Sequence, residues 1–93
     1  MTKKFSDVAK LAIVDMRKQL DAGLGRKVFA DYIVCIERYL IPFFGAQFVT
    51  SIDYQKIQDF YEWRRAKMRR EPKASTLNTH NSAMNRVFEE AVA

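Results

Sequence analysis

The strongest constraint on this chain is where it can break. Its three glycines and two prolines fall at only three places: Gly23 with Gly25, Pro42 with Gly45, and Pro72. Between these points lie four stretches of helix-like length, and none reads as a strand. The expected fold is all-α, a four-helix bundle forming one domain over residues 1–93. A chain this short can build one hydrophobic core but has no room for a second or for a large ligand cleft.

The first stretch opens at Ser6, a good N-cap, and sets Phe5, Ala9, Ala12, Ile13, Met16 and Leu20 along one face before Gly23 stops it. The second runs from about Lys27 to Ile41, with Phe29, Tyr32, Ile33, Ile36, Tyr39 and Leu40 as its stripe and Pro42 as its end. Phe43, Phe44 and Phe48 then form an aromatic loop expected to cover the end of the bundle. The third helix starts with Asp53 as N-cap and Ile52 placed to pack on Ile57 across it. Its stripe is Ile57, Phe60, Tyr61 and Met68. The fourth starts at Ser75, turns Leu77, Met84, Phe88 and Ala91 inward, and reaches Ala93 without a stop signal. The chain is therefore expected to belong to something longer.

Reactive side chains are scarce. Catalytic and metal sites need converging groups, and here there is one histidine, one cysteine and a scatter of carboxylates. His80 reads as a helix-surface or half-buried histidine, and Cys35 as an incidental residue on the outer side of its helix. Gly23-Leu24-Gly25 lacks the third glycine and the preceding strand of a dinucleotide loop. The expectation is no catalytic residue, no metal, no cofactor and no small-molecule substrate. The longest uncharged run, Tyr39 to Ile52, is broken by Pro42 and Gly45, so no membrane segment is expected either. A single cysteine fits a reducing cytoplasm.

The functional signal lies in the charge. Arg64, Arg65, Lys67, Arg69, Arg70 and Lys73 stand against one acid, Glu71, and the other ten bases are matched by ten acids, so this segment holds the whole net charge of +5. Basic runs on helices are most often solvated faces, and helical phase divides this one. Arg64 lies on the side of Ile57 and Tyr61, its stem at the core edge and its head reaching outward. Arg65 is spaced to pair with Glu62, while Arg69, Arg70 and Lys73 fall at the helix end and in the turn. From Pro72 to Phe88 there is no acid at all. Ser75 and Thr76 open the fourth helix, and Asn78, Thr79, Ser82 and Arg86 form its outward face. Short hydrogen-bonding side chains beside a positive helix end suit phosphates and base edges, which makes a nucleic acid the expected partner. The alternative is a helical protein-interaction module using Val14, Val34 and the Phe43/Phe44/Phe48 loop.

The chain also resembles the N-terminal core-binding domain of tyrosine recombinases of the phage integrase family, a SAM-like module of four helices. The likeness rests on Tyr32, Ile36, Tyr39-Leu40-Ile41-Pro42-Phe43-Phe44-Gly45, Ile52, Ile57 and Phe60. A second block is Ser75-Thr76-Leu77-Asn78 leading to Val87-Phe88 and Ala91. The resemblance implies a SAM-like orthogonal bundle that grips one side of a DNA duplex for integration or recombination. Its partner would be a C-terminal catalytic domain of the same parent chain, the parent assembling as a tetramer on DNA in a bacterial or phage-encoded, cytoplasmic setting. The family's catalytic His-x-x-Arg motif has no counterpart in His80-Asn81-Ser82-Ala83, so Tyr32, Tyr39, Tyr54 and Tyr61 read as packing or surface residues. The resemblance implies DNA contacts at Lys73, Ser75, Thr76, Asn78 and Thr79, and adds Arg26 and Lys27 at the start of the second helix.

Overall fold

In the computed structural model, which describes residues 3–92, the chain is an all-α bundle whose described residues form four helices. The first is Phe5–Asp21, the third Tyr54–Met68 and the fourth Ala74–Val92. The second begins as Val28–Cys35, passes through a π turn at Ile36–Leu40 and closes as Ile41–Phe44. A 3-10 turn at Val49–Ser51 and a β-bridge between Lys4 and Phe48 complete the connections. The fourth helix runs unbroken to Val92, and Ala93 lies outside the described residues.

Two of the predicted boundaries are met locally. Gly23 stops the first helix in the left-handed region at φ 74°, its N–H donating to the Leu20 carbonyl at 3.0 Å. Asp53 caps the third, a carboxylate oxygen accepting the Lys56 N–H at 2.9 Å.

Two others are set from a distance. Ser6 does not cap the first helix; Lys4 occupies that position and makes no side-chain cap bond. The N–H groups of Phe5 and Ser6 donate to the carbonyls of Gln47 at 2.8 Å and Gly45 at 3.2 Å, so a loop remote in sequence serves as the cap. Nor does Pro42 end the second helix. A proline has no N–H to offer the carbonyl one turn back, that of Arg38, and Lys67 Nζ from the third helix donates to that oxygen at 3.0 Å. The π turn just before Pro42 is a usual way for a helix to absorb such an interruption. The helix stops at Gly45, whose N–H donates to the Ile41 carbonyl at 2.8 Å; a Cβ on Gly45 would run into that same oxygen.

Phe43 and Phe44 are therefore helical rather than loop residues. Phe44 is fully buried at the centre of an aromatic cluster, its ring centroid 5.3 Å from that of Phe5 and 5.1 Å from that of Phe60. Phe43 meets Trp63 at 5.3 Å, and Phe48 stays exposed. Val8, Met16, Ile36, Leu40 and Val87 fill the remaining core. On the fourth helix Met84 is buried with His80, Ala83 and Val87, while Leu77, Phe88 and Ala91 are half-buried. On the third, Ile57, Tyr61 and Met68 are only half-buried, and the two fully buried side chains are Phe60 and Arg64.

Cys35 is buried too, not on the outer side of its helix. The second helix packs against both the first and the fourth, so its buried arc is wider than the single stripe that periodicity picks out.

Candidate nucleic-acid interface

The basic segment divides into two groups. In the first, each base has a partner within the protein. Arg64 is 4% exposed, its guanidinium lying 5.2 Å from the Phe60 ring centroid and 5.0 Å from that of Tyr61, with Nη1 3.1 Å from Nδ1 of His80. Its head does not reach out to solvent as phase suggested, because the aromatic faces and the imidazole offer it a site inside. Arg65 pairs with Glu71 at 2.8 Å instead of Glu62, both side chains remaining exposed. Lys67, besides its bond to the Arg38 carbonyl, lies 4.9 Å from the Trp63 ring centroid and 5.4 Å from that of Tyr39.

In the second group the bases face outward. Arg69 ends the third helix in a left-handed conformation, φ 58°, with its N–H donating to the Arg65 carbonyl at 3.1 Å. Arg69, Arg70 and Lys73 are exposed and make no ion pair among the described residues. They lead directly into the fourth helix, which begins at Ala74 rather than Ser75.

Along the fourth helix the predicted polar residues spread over one broad side. Ser75, Thr76 and Thr79 border a pocket of about 310 Å³ against the second helix, beside Val34 and Tyr39. The Thr79 hydroxyl is occupied locally, donating to the Ser75 carbonyl at 3.0 Å. Asn78 is exposed. Further along, Ser82 and Arg86 line a second pocket of about 340 Å³ with Arg26, Phe29 and Tyr32 of the facing segment. The Arg86 guanidinium stacks 4.7 Å from the Phe29 ring centroid and lies 3.9 Å from the Glu89 carboxylate. Arg26 and Lys27 are exposed at this end and make no ion pair among the described residues.

The fold thus brings Arg26 to Ser82 and Arg86, and sets Arg69, Arg70 and Lys73 at the helix's other end. From Lys73 to Arg86 the rise is about 20 Å, or roughly six base-pair steps of duplex DNA. Asp31 and Glu89 border the two pockets and oppose an anion there. Asn85, which the sequence reading did not single out, also lines the second pocket; its signal is the three-residue spacing from Ser82.

The buried groups behave as structural ones. Burial, reinforced by Arg64, pushes the His80 pKa down to about 4, so at neutral pH its unprotonated Nδ1 accepts a hydrogen bond from Arg64. Burial pushes the Cys35 thiol up to about 12, partly offset by Arg64, which leaves it protonated and unreactive at neutral pH. Burial also lowers the Arg64 pKa. His80 is only 5% exposed, more enclosed than a surface or half-buried position.

Among the described residues no group of three His, Cys, Asp or Glu side chains could hold a metal, and no helix is long and apolar enough to cross a membrane. Comparison with protein-family models, curated proteins and solved structures finds no match.

Proposed function

We propose that this chain binds double-stranded DNA as a core-binding domain of the kind its sequence resembles, clamping and positioning a duplex for a site-specific tyrosine recombinase without catalytic activity of its own. The reading draws support above all from one arrangement: exposed bases stand at both ends of the polar side of the fourth helix, Arg69, Arg70 and Lys73 at one end and Arg26 and Lys27 toward the other, where the half-buried Arg86 joins them. Bases at the ends neutralise phosphates and fix register, while Ser75, Thr76, Asn78, Thr79 and Ser82 between them reach sugar, phosphate or base edges. In this reading a catalytic domain of the parent chain closes on the opposite side of the duplex, and the parent works as a tetramer.

The protein-interaction alternative loses part of its surface. Phe44 is fully buried and Phe43 half-buried, leaving Val14 and Val34 at 49% exposure and Phe48 at 45% on three different segments.

With four to six phosphate contacts, the logarithm of the binding constant should fall against the logarithm of salt concentration with a slope of roughly −4 to −5. Fluorescence anisotropy on a labelled duplex across a salt series checks this. A flat response would sink the DNA reading.

A further inference from the structure

We infer that the buried contact between Arg64 and His80 is a latch that fastens the third helix to the fourth while the imidazole is neutral, and that acid opens it. Of the third helix's side chains only Phe60 and Arg64 are buried, and Arg64 is the one that hydrogen-bonds the fourth helix. A guanidinium stays protonated in proteins, so Arg64 Nη1 must be the donor across the 3.1 Å contact and His80 Nδ1 the acceptor. The imidazole proton is thereby assigned to Nε2. Adding a second proton turns the acceptor into a donor and sets two cations against each other where the residues are 4% and 5% exposed.

Among the described residues no carboxylate forms an ion pair with either group to offset that second charge. The third helix contributes Arg64 and Tyr61, with Lys67 over the Tyr39 ring, and all the charge among these is positive. From the second helix come the neutral Cys35 and Tyr39, whose ring centroid is 5.1 Å from the imidazole, and Asp31 at the border of the same pocket. Asp31 is not among the causes that set the His80 pKa, which are burial and Arg64. The buried side chains of the first helix, Phe5, Val8, Ala9, Ala12, Ile13 and Met16, carry no titratable group. On the fourth helix, Thr76, Thr79, Ala83 and Met84 add no charge. Arg64 Nε is itself buried without a partner, and no carboxylate pairs with the guanidinium among the described residues.

The direction of the effect follows from linkage. Folded His80 takes up a proton less readily than an unfolded histidine. The stability that the neutral form confers is full above pH 6.5 and is lost as pH falls from there through about 4. Across that window the folding constant should drop by roughly two orders of magnitude from this group. The latch does not depend on the DNA reading, and its test uses no DNA.

The experiment is a pH titration of the isotopically labelled 93-residue chain. Long-range nitrogen–proton spectra should show His80 with a bare Nδ1 and a protonated Nε2 at neutral pH, titrating well below 6.5 in the folded state. In parallel, His80→Asn keeps an acceptor oxygen near the Nδ1 position but cannot titrate, and should flatten the stability loss between pH 6.5 and 4 in denaturant unfolding. A proton on Nδ1, a folded-state titration near 6.5, or an Asn variant with an unchanged pH profile would each overturn the latch. If the Asn variant does not fold, the tautomer and titration of the natural chain decide the matter.

Discussion

Arg64, Arg65 and Lys67 are close in sequence to Arg69, Arg70 and Lys73 and carry the same formal charge. Yet the first three each have a partner within the protein, and the last three make no ion pair among the described residues. Arg64 is enclosed by rings and an imidazole, Arg65 faces Glu71, and Lys67 serves a carbonyl that a proline has left without its usual donor. The difference lies in what surrounds each base. Adding up charge along a segment measures what it could offer a polyanion, whereas the fold determines what is left to offer. Here half of the run is engaged by partners within the protein, and part of the positive face comes from Arg26 and Lys27, far away in sequence.

The largest effect that would test this contrast is on stability. Arg64→Ala removes a buried stem, two ring contacts and the donor to His80, and should cost about 3 kcal/mol in denaturant unfolding. A loss below about 0.5 kcal/mol would put Arg64 with ordinary surface residues and erase the distinction. Next comes the outward group. Replacing Arg69, Arg70 and Lys73 together by Gln should change stability by only about 0.5 kcal/mol while weakening duplex binding roughly a hundredfold near 0.15 M salt, with a salt slope shallower by about 3. Unchanged binding in the triple variant would mean that the DNA-facing side lies elsewhere. The smallest expected effect sharpens the role of Lys67. Lys67→Met keeps an apolar stem against Trp63 but gives up the bond to the Arg38 carbonyl, for a loss of about 1 kcal/mol by thermal unfolding and no change in the salt slope of DNA binding.

What the sequence makes legible is whatever is decided locally. Gly23 and Asp53 act on their own neighbours, and the helices they bound lie where periodicity puts them. Pro42 misleads because its local meaning, a missing donor, is answered by Lys67 from another helix. Ser6 misleads in the same way, since carbonyls from the Gly45–Gln47 loop take over the capping. At the proposed interface, the outward bases and the polar residues of the fourth helix are readable from charge and spacing. The approach of Arg26 to Ser82 and Arg86 is not, because it depends on how the second helix lies across the fourth. Arg64 and His80 are the hardest case: two polar residues of the kind expected at a rim meet one another inside, and neither shows this without the other.

The conformation of Arg69 bears on how this domain could be engineered. A residue with a Cβ in the left-handed region costs roughly 1 kcal/mol relative to glycine, which is the residue that a search for added stability would place there. That exchange would tighten the helix end and delete a guanidinium from the outward group. On the proposed DNA reading, thermostability and affinity for a polyanion are opposing design goals at this corner, and a more robust version of the domain is better sought at positions away from the turn.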